Sequence, residues 1–575
     1  MMNPRRLRFC CAAVAGLTAA APLQAQPPAS RIDPGWSQAG KARVVEAPRA
    51  MVVSGSPIAS EVGRSILQRG GNAVDAAVAV GFALAVVHPE AGNIGGGGFM
   101  VIRTAQGQVQ TLDYRETAPG RATRDMYVNR RGNPTELSIT GALSAGVPGS
   151  VAGMLEAHRR YGKLPLRVVV APAIALAREG FAVDSVRSNS IDSDRHRLYL
   201  FAASRAQFLP EGRAPAPGSR LRQPDLARTL TAIQNRGAAG FYRGWVANLI
   251  IAEMRRSGGL ITRADLAGYR PVWREPITIR YRGHTIYSMP PASSGGVTMA
   301  GILNIMEGFG PLPAFGSAAL VHRESEAMRR AFMDRNRFLG DPAFVQAPVE
   351  RLVSKEHAES LRQQIDLQRA TPTPKFDGAG TQGSSTTHYS VVDAEGNAVS
   401  CTTTLNNSYG SAVTVTGAGF LLNDEMDDFA TAPGKPNMYG LVQGEANAIL
   451  PGKRMLSAMA PSIVLDPDGK LFMIVGTPGG PRIITMVYHI ISNVIDHGMS
   501  LAEAVTAPRH HHQALPDTIR VERGGFPPAL LDTLRTMGHA VVEGTPWGDV
   551  EAIIRVPQGW QGVSDPRRGG GGSGY

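Results

Sequence analysis

Residues 383–405 read GSSTTHYSVVDAEGNAVSCTTTL, and four consecutive hydroxyl side chains, Ser384 to Thr387, stand near the start of this stretch. β-branched and aromatic residues are frequent from Thr387 to Asp393 and again from Ala398 to Leu405. Between them, Ala394-Glu395-Gly396-Asn397 is a turn sequence, so the pattern predicts a β-hairpin. The hydroxyl run therefore lies where a loop meets the first strand of a hairpin.

The sequence on both sides of this hairpin predicts layers of sheets and helices. Residues 370–385 are rich in Pro, Gly, Thr and Ser, which is typical of an exposed, mobile linker. A second hairpin is predicted at Pro461–Leu465 and Lys470–Gly476, followed by a helix from about Arg482 to Ile495. A nearly all-apolar helix is predicted after Asn72, and such a helix must be buried. These elements indicate an α/β (α+β) chain with sheets between helix layers.

The hydroxyl run leaves three interpretations open. A hydroxyl is a weak nucleophile until a base activates it, and His388 shares a strand face with Thr386. However, no G-x-S-x-G motif is present and no aspartate is evidently tied to His388. Alternatively, a cut before Thr386 would free an α-amine, with a pKa of about 7.7–8.0, to serve as base for its own hydroxyl. The same hydroxyl would make the cut by attacking the Ser385 carbonyl. The third interpretation is a strand start without chemistry.

The N-terminus has the pattern of a secretory signal peptide over residues 1–25. Arginines precede the apolar run at 9–21, and Leu23-Gln24-Ala25 offers a small-residue cleavage site. We therefore expect an exported protein, periplasmic or secreted. The apolar run is too short to span a membrane and no later run is long enough, so no membrane insertion is expected. Cleavage leaves Cys401 as the single cysteine, and its apolar strand predicts a buried packing residue.

Charge and metal-ligand patterns exclude several functional classes. The net charge is +12, but the basic residues are scattered among acids and form no basic helix with interleaved aromatics, so no nucleic-acid partner is expected. His510, His511 and His512 are consecutive, and neighbouring side chains diverge too much to share one ion. The acidic segment at 423–429 lacks the spacing of a calcium loop. We therefore predict neither a metal site nor a cofactor.

Long motifs in order along the chain make the sequence resemble the γ-glutamyltranspeptidase family. They are GGNAVDAAVAVGFALAVVHPEAGNIGGGGFM (70–100), DYRETAPG (113–120), TTHYSVVDAEGNAVSCTTTLNNSYG (386–410), LLNDEMDDF (421–429), APGKPNMYGLVQGEAN (432–447), GTPGGPRIIT (476–485) and APRHHHQALPD (507–517). The resemblance implies an N-terminal-nucleophile hydrolase, a four-layer αββα sandwich whose precursor cuts itself between Ser385 and Thr386. It implies a large subunit at 26–385 and a small catalytic subunit at 386–575, which together form a heterodimer.

The same resemblance assigns the catalytic roles. It makes Thr386 the nucleophile, with its own amine as base, and makes Thr404 the residue that orients the Thr386 hydroxyl. Gly479 and Gly480 precede a helix, and their backbone amides suit an oxyanion hole. Tyr439 would anchor a lid formed by residues 432–444.

The substrate-binding roles follow the resemblance too. Arg115 would bind the α-carboxylate of a γ-glutamyl group, since a guanidinium matches a carboxylate bidentately. Asn406, Glu425 and Asp428 would hold its α-ammonium end. The family commonly has two adjacent serines near the carboxylate, whereas this chain has Ser457 and Ala458. Only a backbone N–H contact is therefore expected at position 458.

The implied activity is transfer of a γ-glutamyl group from glutathione or other γ-glutamyl compounds to water or to an amino-acid or dipeptide amine. One alternative is an acylase of the same fold that acts on glutaryl-type β-lactams, whose acyl group lacks the α-amine. The other is an inactive, secreted binding protein. The acidic Glu425 and Asp428 argue against the first, and the intact set of Thr386, Thr404 and the two glycines argues against the second.

Overall fold

The computed structural model describes residues 32–373 and 386–575. The predicted signal peptide, most of the predicted linker and Ser385 lie outside the described residues.

Strands and helices are numbered here in chain order. The strands β1 to β19 are Arg43–Ala47, Met51–Ser54, Gly97–Arg103, Val109–Asp113, Phe181–Ala182, Arg220–Leu221, Val272–Arg274, Ile277–Tyr281, His284–Ser288, Thr386–Val392, Ala398–Thr404, Ser462–Leu465, Leu471–Val475, His510–His511, Ile519–Glu522, Val541–Gly544, Glu551–Val556, Gly559–Ser564 and Gly571–Gly574. The helices α1 to α18 are Pro57–Gln68, Ala73–Val87, Ser150–Tyr161, Leu166–Glu179, Ser185–Ser193, Arg195–Tyr199, Ala202–Phe208, Pro224–Arg236, Ala239–Tyr242, Gly244–Ser257, Arg263–Gly268, Gly295–Glu307, Ala318–Phe338, Val349–Leu352, Lys355–Arg362, Arg482–Ile495, Leu501–Thr506 and Pro528–Thr536.

Two large sheets form the centre of the molecule. One has the strand order β19-β2-β10-β11-β3-β4-β7 and the other β1-β18-β17-β13-β12-β9-β8. Neighbouring strands within both sheets are antiparallel. The predicted hairpin, β10 and β11, lies in the middle of the first sheet, and every residue of both strands is buried, so both of its faces are covered.

Alternation along the hairpin separates two hydrophobic cores. Tyr389 and Val391 of β10 point to the core that contains the fully buried helix α2. Val392, at the end of the same strand, points to the core shared with the second sheet and with helices α12 and α16. The order is therefore helix, sheet, sheet, helix, which confirms the four-layer αββα architecture expected from the resemblance.

The locally predicted elements are confirmed with small shifts at their ends. The hairpin strands are Thr386–Val392 and Ala398–Thr404. The first strand therefore begins one residue earlier than predicted, at Thr386, the third residue of the hydroxyl run. Helix α2 begins after Asn72, whose side chain accepts hydrogen bonds from the backbone N–H groups of Val74 and Asp75, as an N-cap does.

Cys401 is buried against the Tyr114 hydroxyl, and burial raises the pKa of its thiol to about 12. Across residues 32–373 and 386–575, no helix combines the length and apolar character that a membrane crossing requires.

Candidate active site

The hairpin register places Thr386 directly opposite Thr404. The Thr386 hydroxyl donates to Thr404 Oγ1 over 3.2 Å, and Thr404 Oγ1 also accepts the backbone N–H of Asn406 over 2.8 Å. Both threonine side chains are buried. The end of the hairpin therefore holds the Thr386 hydroxyl against the Thr404 hydroxyl.

His388 does not contact the Thr386 hydroxyl. Its Nδ1 lies 2.9 Å from Thr402 Oγ1 and its Nε2 lies 3.1 Å from Ser390 Oγ, so both ring nitrogens have partners within the hairpin. Burial lowers the pKa of His388 to about 3, which keeps the imidazole neutral. The geometry therefore does not support His388 as the base that activates Thr386. Its hydrogen bonds make it a structural residue of the sheet.

A small cavity opens at Thr386. It is lined by Arg115, Arg335, Thr386, Thr404, Asn406, Asp428, Tyr439, Leu441, Leu456, Ser457, Ala458, Met459, Gly480, Pro481 and Ile483. Most of the residues singled out from the sequence therefore meet at one place, although they come from segments far apart in the chain. Gly479 and Glu425 lie next to this cavity without lining it.

Arg115 is the buried cation of the cavity. Its guanidinium is fully buried and pairs with Asp428, and with Glu425 Oε2 over 2.6 Å. Its Nε donates to the Met455 carbonyl over 3.2 Å. Burial opposes the charge of Arg115, but the neighbouring carboxylates together raise its pKa above the ordinary value. Arg115 is therefore a permanent, oriented cation at the wall of the cavity.

More carboxyl groups than cations surround this guanidinium. Glu425 lies behind Arg115, and Glu116 Oε2 lies 3.6 Å from the same guanidinium. Burial raises the pKa of Glu425 well above its usual value and that of Glu116 to about 8, in spite of Arg115. Only Asp428 of these acids borders the cavity. The contact between Glu425 and a substrate ammonium group stays a prediction.

Gly479 and Gly480 form the turn between β13 and α16. Their φ angles are 146° and 57°, in the region that favours glycine. A β-carbon on Gly480 would lie 2.9 Å from ring carbons of Tyr439. The turn thus needs glycine for both its backbone conformation and its contact with the lid residue.

Tyr439 connects the segment 432–444 to the floor of the cavity. Its hydroxyl donates to Asn406 Oδ1 over 2.8 Å, and Gln513 Nε2 donates to its carbonyl over 3.2 Å. Tyr439 and Leu441 both line the cavity. The segment is therefore held at its middle by side-chain hydrogen bonds and covers part of the site.

Ser457 and Ala458 form an adjoining part of the wall. The Ser457 N–H donates to the Ala292 carbonyl over 2.9 Å, and the Ser457 carbonyl accepts the Ser294 N–H over 2.8 Å. This backbone is fixed on both sides, so the methyl of Ala458 has a defined place beside the cavity.

Arg335 is a site residue that the sequence reasoning missed. It lies on α13 and donates to Gln443 Oε1 over 2.8 Å and to Ser294 Oγ over 3.2 Å. Burial lowers its pKa to about 10, so it stays charged at neutral pH. Its position in the buried stripe of α13, after Met328 and Phe332, is a signal that could have found it, because an arginine on an apolar face needs partners.

The three consecutive histidines diverge. His510 approaches Glu324, while His511 bonds to Thr485 and Gln513 and His512 bonds to Asp517. They do not meet at a common point, and each packs against a different element.

The comparisons with known proteins agree over almost the entire chain. A family model described as Gamma-glutamyltranspeptidase matches residues 59–575. The chain is 47% identical over 530 residues to a protein of Escherichia coli strain K12 named "Glutathione hydrolase proenzyme", and the match covers 91% of each chain.

Two solved structures are also similar. A cephalosporin acylase from Bacillus halodurans superimposes with a TM-score of 0.83 at 30% identity, over 92% of this chain and 97% of that one. The γ-glutamyltranspeptidase of Helicobacter pylori gives a TM-score of 0.55 at 44% identity, over 57% of this chain and 94% of the solved one. The extent of the family match and the identity to its members show that this chain belongs to the γ-glutamyltranspeptidase family.

Proposed function

We propose that this protein is an exported γ-glutamyltransferase and glutathione hydrolase that matures by cutting itself before Thr386. The observation that carries the proposal is the meeting of the Thr386 hydroxyl, Arg115 and Asp428 in one cavity. A nucleophile stands there beside a cation and an anion. Those two charges complement the α-carboxylate and α-ammonium of a γ-glutamyl group.

Maturation follows from the position of Thr386 at the first residue of β10. Its hydroxyl attacks the carbonyl carbon of Ser385, the C–N bond breaks, and the Thr386 nitrogen takes up a proton as an α-amine. Water then hydrolyses the resulting ester and regenerates the hydroxyl. The products are the large subunit, 26–385, and the small subunit, 386–575.

Catalysis uses the new α-amine as base. It takes the proton of the Thr386 hydroxyl, whose oxygen attacks the γ-carbonyl of glutathione, and the proton passes to the departing amine of cysteinylglycine. The amides of Gly479 and Gly480 stabilise the oxyanion. Thr404 keeps the hydroxyl oriented. Water or an acceptor amine then resolves the γ-glutamyl ester on Thr386. No cofactor takes part in these steps.

Binding of the substrate replaces the ion pair between Arg115 and Asp428 by two ion pairs with the substrate. Without substrate, Arg115 and Asp428 neutralise each other. A γ-glutamyl group is a zwitterion, so its carboxylate pairs with Arg115 and its ammonium with Asp428 while the total charge of the cavity is kept. Asn406 adds polar contacts at the ammonium end, and Ser457 donates its hydroxyl to the carboxylate.

The experiment for this function combines a denaturing gel with an assay of a chromogenic γ-glutamyl anilide. The purified mature protein should separate into two bands of the predicted sizes and should release the aniline. A single band without release would contradict the proposal and would favour the inactive binding protein.

A second candidate function is the acylase of glutaryl-type β-lactams. The similarity to the solved cephalosporin acylase favours it, whereas the cavity carboxylate of Asp428 opposes it, because a glutaryl group has no ammonium to pair with. Glutaryl anilide and γ-glutamyl anilide separate the two. Faster release from the glutaryl compound would make the acylase the better assignment.

The substitution Ala458→Ser should strengthen substrate binding. It adds a hydroxyl beside Ser457 at a fixed backbone position, and a net hydrogen bond contributes about 0.5–1.5 kcal/mol. We expect the KM for γ-glutamyl anilide to fall by about two- to tenfold with a smaller change in kcat. Ala460→Ser, a buried alanine outside the cavity lining, is the control. An unchanged KM in Ala458→Ser would mean that the substrate carboxylate lies elsewhere.

The substitution Tyr439→Phe should loosen the lid. It removes the hydroxyl that donates to Asn406, so the segment 432–444 loses its bond to the cavity floor. We expect kcat/KM for γ-glutamyl anilide to fall by about two- to tenfold, and less for a long γ-glutamyl peptide. Tyr281→Phe removes a tyrosine bond to Asp496 outside the cavity and serves as the control. Equal losses for both substrates would contradict the lid assignment.

A further inference from the structure

Three metal-ligating side chains meet in a part of the molecule that the proposed function does not use. Glu324 comes from α13, His489 from α16 and His510 from β14. One ligand atom from each lies within 4.8 Å of the other two. All three side chains are more than nine-tenths buried. Three separate elements therefore bring a carboxylate and two imidazoles to a common point in the interior.

Within the described residues, three of the four imidazole nitrogens of this group lack the hydrogen bonds that buried polar atoms normally make. Neither ring nitrogen of His489 has a hydrogen-bond partner among residues 32–373 and 386–575, and neither does His510 Nε2 within the same ranges. His510 Nε2 lies 3.4 Å from Glu324 Oε2. The Tyr488 hydroxyl occupies the other oxygen, Oε1, over 2.9 Å. Three imidazole nitrogens without hydrogen bonds among the described residues therefore lie in a group that also contains a carboxylate.

We propose that Glu324, His489 and His510 bind a divalent transition-metal ion of the zinc type. Two imidazoles and a carboxylate are a common ligand set for zinc, and a water molecule takes the fourth tetrahedral position. With bonds of about 2.0–2.1 Å, ligand atoms in such a site lie about 3.4 Å apart. Atoms that now lie up to 4.8 Å apart must approach to that spacing by side-chain rotation when the ion binds.

The ion would act as a structural tie. Helix α16 begins two residues after Gly480, and His510 precedes the segment whose Gln513 holds the Tyr439 carbonyl. A metal at this point joins α13 and α16 to the strand that leads to Gln513. It stabilises the packing behind the cavity without touching the reacting atoms. This inference does not depend on the proposed function, and its test does not measure activity.

The test uses the full mature protein without a histidine tag. The protein is dialysed first against a chelator and then against zinc, and is desalted before its zinc content is measured. We expect about one zinc per chain and a rise in Tm of several degrees in the presence of zinc. Cobalt(II) in place of zinc should give the visible absorption of a tetrahedral site.

Variants of the ligands and of a surface histidine complete the experiment. His489→Phe fills the same space, and Glu324→Gln keeps an acceptor for Tyr488; both should lose the retained zinc and the Tm rise. His196, which is exposed on α6, gives the control His196→Gln, which should keep both. If the unmodified protein retains no more zinc than His489→Phe, and zinc leaves its Tm unchanged, the site is wrong. Should the ligand variants fail to fold, the zinc content, cobalt spectrum and Tm of the unmodified protein decide alone.

Discussion

The variant Thr386→Ala is expected to remain one uncut chain and to show no γ-glutamyl turnover. In the proposed mechanism the Thr386 hydroxyl is the nucleophile for both self-cleavage and turnover, and its hydrogen bond to Thr404 supports that role. Loss of a nucleophile typically costs on the order of 10⁴-fold or more in kcat. The gel should show a single band, and aniline release should fall to the background rate.

The neighbouring threonine provides a matched control. Thr387 belongs to the same hydroxyl run and is buried, and its Oγ1 has no hydrogen-bond partner in the described parts of the chain. Thr387→Val keeps its shape, so this variant should be cut and should turn over substrate normally. Thr386→Ser should be cut too, because it retains a hydroxyl. If Thr386→Ala is still cut before residue 386, another group performs the cleavage and the self-processing mechanism is wrong.

The variant Asp428→Asn should lose most of its activity on γ-glutamyl substrates. It keeps the shape of the side chain but removes the negative charge that pairs with Arg115 and that, in the proposed binding mode, pairs with the substrate ammonium. Breaking a buried charge pair costs about 2–5 kcal/mol, so kcat/KM for γ-glutamyl anilide should fall by about 30-fold or more. Release from glutaryl anilide, which lacks the ammonium, should fall far less.

Two further comparisons make this prediction specific. Glu425→Gln should have a smaller effect than Asp428→Asn on the preference for γ-glutamyl over glutaryl anilide, because Glu425 does not border the cavity. Melting curves of both variants show whether a loss reflects recognition or unfolding. Equal losses on the two anilides in a folded Asp428→Asn would mean that Asp428 does not recognise the ammonium group.

Local sequence patterns predicted the elements that depend on neighbouring residues. The hairpin at Thr386–Thr404 follows from strand residues on either side of a turn sequence, and helix α2 follows from its apolar run after the Asn72 cap. The prediction of the four-layer αββα sandwich and the choice of the residues that form the site depended instead on the resemblance to a family. Nothing in the spacing of Arg115 and Asp428, 313 residues apart, indicates that they touch.

The features that escaped prediction depend on packing between distant segments. Arg335 reaches the cavity because α13 packs beside the lid, and no pattern within the helix specifies that neighbour. Glu425 lies behind Arg115, whereas Asp428 lines the cavity. The positions of these two acids within one short acidic segment do not indicate this difference. The sequence analysis considered the three consecutive histidines only as one group. In the structure His510 instead lies near Glu324 and His489, which come from other elements.

In the proposed mechanism the Thr386 hydroxyl carries the γ-glutamyl group as an ester, and this ester can be trapped. The mature enzyme is mixed with a γ-glutamyl substrate and quenched in acid within the first turnovers, and the small subunit is mapped by mass spectrometry. We expect a small subunit that begins at Thr386 and carries one added γ-glutamyl group on the side chain of that residue. A γ-glutamyl group on any other residue, or a small subunit with a different first residue, would contradict it.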